Sequence, residues 1–377
     1  MKEKFEKLNK LFVEKKYSEL IFLIESSFDQ KTSRLLNVLA VARLLNNKNQ
    51  KSFILAINEF KEGYTQEPKS QIGLECLKNY INALVDFYDQ KNISDNSLNF
   101  LNLFNEALDF LDKAHKHFGY DPKLISATAR IYKRLNDIDK TLYYYSILSE
   151  KGDLNSTTLS SWIFFNNYTN SWTQKDYFKY SKLLDNYLIK YPEENLIQLK
   201  KQNYSKIKIG FFSSHFHGNH SITYFLKTIL ENYDFNKFEI YLYLNNKFED
   251  EGTKYLQNLV FKFKNIFFLS DVEAINSIRS DNLDFIFDLE GITSSNRITL
   301  FKNRLAFKQV SWLGYCNTLG IAEMDYILTD PNLIFSNEAE FYSEKIIYLP
   351  NIWNCHSGFN FSTSPNSVEQ TGVLYLG

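Results

Sequence analysis

Only three of the 377 residues are cysteine: Cys76, Cys316 and Cys355. They are too few for a disulfide scaffold, and their spacing is not that of zinc ligands. The chain also lacks an excess of either charge. Its 43 Lys and Arg face 44 Asp and Glu, a net of −1. A general nucleic-acid binder carries a basic surplus, and disordered or acidic-tail chains are lopsided in charge, so those classes drop out. Long apolar runs are missing too: no window approaches the roughly 18 uncharged apolar residues that cross a bilayer. The opening MKEKFEKLNKLFVEKKYSEL is charged every few positions and has no apolar centre for a signal peptide. Neither nucleic acid nor membrane is an expected partner, and a cytoplasmic location is expected.

Glycine is scarce in one half only. Residues 1–200 hold Gly63, Gly73, Gly119 and Gly152 alone among the chain's 13 glycines. The glycine-poor half places apolar residues three and four apart, as in Phe5, Leu8, Leu11, Phe12 and in Leu35, Leu39, Ala42, Leu45. That period predicts amphipathic helices. Short polar turns break it at residues 46–49, Glu67-Pro68, Tyr120-Asp121-Pro122 and Asn136-Asp137. Helix pairs with brief turns describe a solenoid. Ala107–Ala114, followed by Phe118-Gly119-Tyr120-Asp121-Pro122 and a second pair to Tyr145, resembles a degenerate tetratricopeptide repeat. An aromatic stripe (Tyr143, Tyr144, Tyr145, Phe164, Phe165, Tyr168) is expected in the core, the alternative being a peptide groove.

From about residue 204 the pattern changes. Apolar strands at 206–213, 238–244, 266–269, 283–289, 309–313, 324–328 and 345–349 alternate with helices at 221–230, 251–262 and 271–278. Such alternation predicts a parallel, doubly wound sheet. Ligand sites in these sheets lie at the carboxyl ends of the strands, which directs attention to 213–221, 290–297, 314–320 and 329–331. There is no Walker-type phosphate loop, no Gly-x-Gly-x-x-Gly after a strand and no Gly-x-Ser-x-Gly elbow. ATPase, dehydrogenase and α/β-hydrolase readings therefore recede.

The strand ends carry an ordered series: Ser213-Ser-His215-Phe-His217-Gly-Asn219-His220-Ser221, Asp288-Leu-Glu290-Gly291-Ile-Thr293 with Arg297, Trp312-Leu-Gly314-Tyr315-Cys-Asn317-Thr318-Leu-Gly320, Met324-Asp325-Tyr326, and Tyr342-Ser-Glu-Lys345. In this order the series resembles the protein O-GlcNAc transferase family with its plant SPINDLY-type O-fucosyltransferase branch. His220-Ser-Ile-Thr-Tyr-Phe225 is nearer the SPINDLY side. Tyr224 stands where the animal pattern has a second His, Ile292 where many bacterial relatives have His, and Cys316 where Pro is usual.

The resemblance implies a tetratricopeptide-like region (1–203) followed by the first, Rossmann-like lobe of a two-lobed GT-B enzyme (204–360). Residues 361–377 would be a linker and the opening strand of a second lobe that the chain lacks. It implies inverting, metal-independent transfer to Ser/Thr hydroxyls of proteins, with UDP-GlcNAc or GDP-fucose as donor and no further cofactor. The helical half would select the protein acceptor, and the incomplete chain alone would be inactive. The alternative is a repeat-based interaction scaffold without a donor site.

By the same resemblance His220 is the catalytic-site histidine. Asn219, Tyr224, Gly291, Thr293, Arg297, Tyr315, Asn317 and Thr318 line the substrate cleft. From the residues alone, Arg297 either faces phosphate or a substrate carboxylate, or pairs with Asp288 or Glu290. Tyr315, Asn317 and Thr318 either line the cleft or shape a turn. His215 and His217 read as polar loop residues rather than zinc ligands.

Overall fold

The computed structural model describes residues 2–46, 49–90, 100–200, 205–218, 220–293 and 296–356. The chain divides into two compact units, the first ending at Thr169 and the second starting at Asn170.

The first unit is helical. Its elements are α1 (Lys2–Val13), α2 (Tyr17–Ser27), α3 (Ser33–Asn46), α4 (Gln50–Gln66), α5 (Gln71–Gln90), α6 (Phe100–Phe118), α7 (Pro122–Arg134), α8 (Ile138–Lys151) and α9 (Ser156–Asn166). Sequential helices pack as hairpins, α3 on α4, α4 on α5 and α7 on α8. Polar turns start and stop them for local reasons. Asp121 caps α7 by accepting the Leu124 N–H at 2.9 Å, with Pro122 in the first turn. Gly152 closes α8 at φ 73°, a left-handed conformation that glycine adopts without strain. Phe60, Leu77, Tyr80, Ile81 and Phe104 form the main core. The aromatic stripe is split: Tyr145 and Phe165 are core, whereas Tyr143 and Tyr168 are 60% and 63% exposed.

The second unit is the α/β layer: α10 (Gln174–Asp185), β1 (Ile207–Ser213), α11 (Ser221–Asn232), β2 (Phe238–Leu244), α12 (Glu251–Gln257), β3 (Lys262–Asn265), α13 (Asp271–Arg279), β4 (Phe285–Asp288), β5 (Lys308–Ser311), β6 (Tyr326–Thr329) and β7 (Lys345–Tyr348). All seven strands are parallel in the order β3-β2-β1-β4-β5-β6-β7. The order reverses between β1 and β4, where Gly210 pairs with Ile286 and Phe212 with Asp288. Crossovers leave that point in opposite directions and open a crevice at the strand ends.

Two boundaries differ from the sequence expectation. The third strand is 262–265, not 266–269, and α12 stops at Gln257. Lys262 and Lys264 alternate with Phe263 and set their ammonium groups 2.6 and 2.8 Å from the Asp281 carboxylate. That fixes the register at the sheet edge. The apolar pair that suggested a strand, Phe267 and Phe268, lies past it on the surface.

A further difference is α10, which belongs with the sheet although it precedes residue 204. Ser181 donates to the Thr318 carbonyl at 3.0 Å, and Lys302 pairs with Asp185 at 2.8 Å. The expected linker and strand at 361–377 lie outside the described residues.

Candidate active site

The crevice at the β1/β4 reversal is built around one carboxylate. β4 ends at Asp288, and its side chain accepts the backbone N–H groups of Glu290 (3.0 Å) and Gly291 (3.1 Å). This closes a tight turn of the kind Asp favours. Gly291 takes φ 60°, and a Cβ there would sit 2.4 Å from the Tyr315 Cβ, so only glycine fits. The turn drives Glu290 inward beneath the end of β1, where it is 1% exposed. Its Oε1 receives hydrogen bonds from the Ser213 hydroxyl, the Ser214 N–H at 2.6 Å and His215 Nδ1 at 2.9 Å. Its Oε2 lies 3.0 Å from the same His215 nitrogen and 3.4 Å from the Thr293 hydroxyl. Asp288, just below, has its carboxyl pushed up to about 7 by burial, against the bonds from its two backbone N–H donors.

The loop after β1 carries three imidazoles. Phe216 is its fully buried anchor. Thr253 donates to the Phe216 carbonyl at 2.7 Å, Thr223 to the His215 carbonyl at 3.0 Å, and Gly218 to the Asp250 carboxylate at 2.9 Å. So fastened, the His215 and His220 rings stack with centroids 4.0 Å apart and planes 14° apart. His217 meets His220 edge-on at 5.3 Å. Stacked faces do not converge on a point as metal ligands do. Among the described residues, no three His, Cys, Asp or Glu side chains are placed to hold an ion.

His220 is also the N-cap of α11. Its Nδ1 accepts the Ile222 N–H at 3.2 Å, so the proton of the neutral ring sits on Nε2. Burial, with the fields of His215 and His217, lowers its pKa to about 4. At neutral pH His220 is an uncharged hydrogen-bond donor. Burial lowers His217 as well, helped by His215.

The other expected site residues fall in three places. Gly291 and Thr293 adjoin Glu290, and Tyr315 packs over Gly291. Asn317 and Thr318 belong to the same loop as Tyr315 but hold structure. Asn317 Oδ1 accepts from Gln174 at 2.6 Å and from the Thr318 N–H at 2.8 Å. Thr318 donates to the buried Glu344 carboxylate at 2.7 Å. Arg297 turns away from Glu290 and Asp288. It pairs with Asp271 at 2.8 Å and donates to the Ile266 and Leu269 carbonyls at 3.0 and 2.6 Å, tying the end of β3 to α13. Tyr224 stacks on His356 at 5.7 Å. Asn219 lies outside the described residues. The sequence reading passed over Glu290 as a centre; two carboxylates one residue apart at a strand end, with no basic neighbour, were its signal.

Residues 182–358 match glycosyl transferase family 41. This segment resembles that family. SPINDLY of Solanum lycopersicum, by name a UDP-N-acetylglucosamine–peptide N-acetylglucosaminyltransferase, is 27% identical over 171 residues, which are 44% of this chain and 18% of that protein. A Caenorhabditis elegans UDP-N-acetylglucosamine–peptide N-acetylglucosaminyltransferase is 31% identical over 153 residues, 40% of this chain and 13% of its own length. The chain thus spans less than a fifth of the length of either relative. A variant of the Thermobaculum terrenum O-GlcNAc transferase superposes with a TM-score of 0.67 over 86% of this chain and 59% of its own, at 17% identity. That likeness is one of fold.

Proposed function

We propose that this chain takes part in transferring a sugar from a nucleotide sugar to Ser or Thr hydroxyls of proteins. UDP-GlcNAc is the first candidate donor and GDP-fucose the second. The observation that carries the reading is the stacked His215–His220 pair over buried Glu290, at the point where a doubly wound sheet binds its ligands. An acceptor hydroxyl attacking an anomeric carbon needs alignment, an exit for its proton and stabilisation of the departing diphosphate. His220 offers a neutral N–H donor to a substrate oxygen. Attack from the face opposite the leaving group inverts the anomeric centre, and the reading assigns no metal to the step. The helical unit recognises the protein acceptor, with exposed Tyr143 and Tyr168 as contact candidates.

The test incubates the chain, extended by the C-terminal part of a longer relative, with a Ser/Thr peptide library and each donor in turn, reading sugar addition by mass. The expected result is addition from one donor only, lowered about 10²-fold in His220→Asn, the size expected for a lost transition-state donor. Saturable peptide binding with turnover of neither donor would replace this reading with an interaction scaffold.

A further inference from the structure

We infer that His215, held by Glu290, is the proton acceptor of the transfer step, and that His220 beside it acts only as a donor. This rests on the function proposed above. A carboxylate oxygen bonded by the Ser214 N–H can only accept from the ring, so His215 Nδ1 carries the hydrogen across the 2.9 and 3.0 Å contacts. In the neutral imidazole the other nitrogen, Nε2, is then a bare lone pair on the far side of the ring from Glu290. The His215 side chain remains 21% exposed while its carboxylate partner is sealed, so the ring runs from the floor to the crevice. His220 has the opposite tautomer, fixed by its helix cap. The stack therefore presents one acceptor nitrogen and one donor N–H side by side.

The acceptor oxygen bonds to the anomeric carbon, and the bond from that carbon to the diphosphate oxygen breaks, its electron pair leaving with the nucleotide diphosphate. The hydroxyl proton passes to His215 Nε2. The resulting imidazolium lies against the Glu290 carboxylate, which stabilises it, and later returns the proton to water. Glu290 is a positioning residue: it sets the tautomer and ring angle and touches no substrate.

The chain has six histidines, so ring-15N-histidine labelling with long-range 1H–15N correlation resolves each tautomer in the full chain. At pH 7.5 the expected forms are Nδ1–H for His215 and Nε2–H for His220. Glu290→Gln should shift His215 toward the Nε2–H form, a change that a merely structural carboxylate would not produce. In the transfer assay His215→Ala should lose about 10²–10⁴-fold in rate, the usual contribution of a positioned base. An Nε2–H tautomer at His215 in the unsubstituted chain overturns the inference without any variant having to fold. So does unimpaired turnover by His215→Ala alongside an active parent. Absence of transfer by the extended parent overturns the function reading first, and this step with it.

Discussion

His220 has two duties in this structure, and one substitution series separates them. Its Nδ1 caps α11, and its ring stacks on His215. His220→Ala removes both. Loss of an N-cap acceptor costs about 1 kcal/mol, and loss of an aromatic stack about 0.5–1.5 kcal/mol. The expected destabilisation is therefore about 2 kcal/mol. A unit of this size moves about 2–4 °C per kcal/mol, so Tm should fall by about 4–8 °C. His220→Asn restores a strong capping acceptor without the stack and should fall by only about 2–4 °C. The assay is thermal unfolding followed by tryptophan fluorescence, since Trp172, Trp312 and Trp353 report on the α/β unit. Both variants should lose sugar transfer equally although their stabilities differ. If Asn protects no better than Ala, the Nδ1 cap contributes nothing and the tautomer argument for His220 falls with it.

Three further outcomes are expected. Gly320→Ala should destabilise the α/β unit by about 2–5 kcal/mol, because φ is 74° and a Cβ would lie 2.2 Å from the Ser181 backbone of α10; unchanged urea unfolding would contradict the packing of α10 on the 314–320 loop. Thr318→Val should cost about 1–3 kcal/mol by stranding the buried Glu344 carboxylate, while Thr318→Ser should cost much less. Burial raises the Asp288 carboxyl to about 7 in the folded chain. The folded state then holds a proton that the unfolded chain has already released, so this group's contribution is full below about pH 4 and is lost as pH rises through about 7. Asp288→Asn, which does not titrate, should gain stability relative to the parent over that range, and a pH-independent difference between the two would refute the assignment.

Much of this was legible in the sequence because local rules governed it. The three- and four-residue spacing of the first unit, the Asp121-Pro122 helix start and the alternation after residue 204 each follow from a local preference, and the folded elements match them. The misplaced third strand shows where such rules fail. Phe267 and Phe268 have high strand propensity, but the ladder formed where Lys262 and Lys264 could reach Asp281, a contact 17 residues or more away in the chain. Arg297 is a similar case, since its partner Asp271 comes close only once β3 and α13 are folded. Glu290 was hidden for another reason: a buried carboxylate is intelligible only once its donors at the end of β1 and in the loop after it are known to lie beside it.

In the function proposed here, sugar transfer takes place over the His215–His220 stack at the β1/β4 crevice. The decisive measurement is the transfer rate from UDP-GlcNAc and from GDP-fucose of the chain extended by the C-terminal part of a longer relative, compared with its His215→Ala/His220→Asn double variant under conditions where both are folded. Turnover by the extended parent from one donor, and none detectable from the double variant, is the expected result. Equal turnover by the two chains would place the chemistry elsewhere.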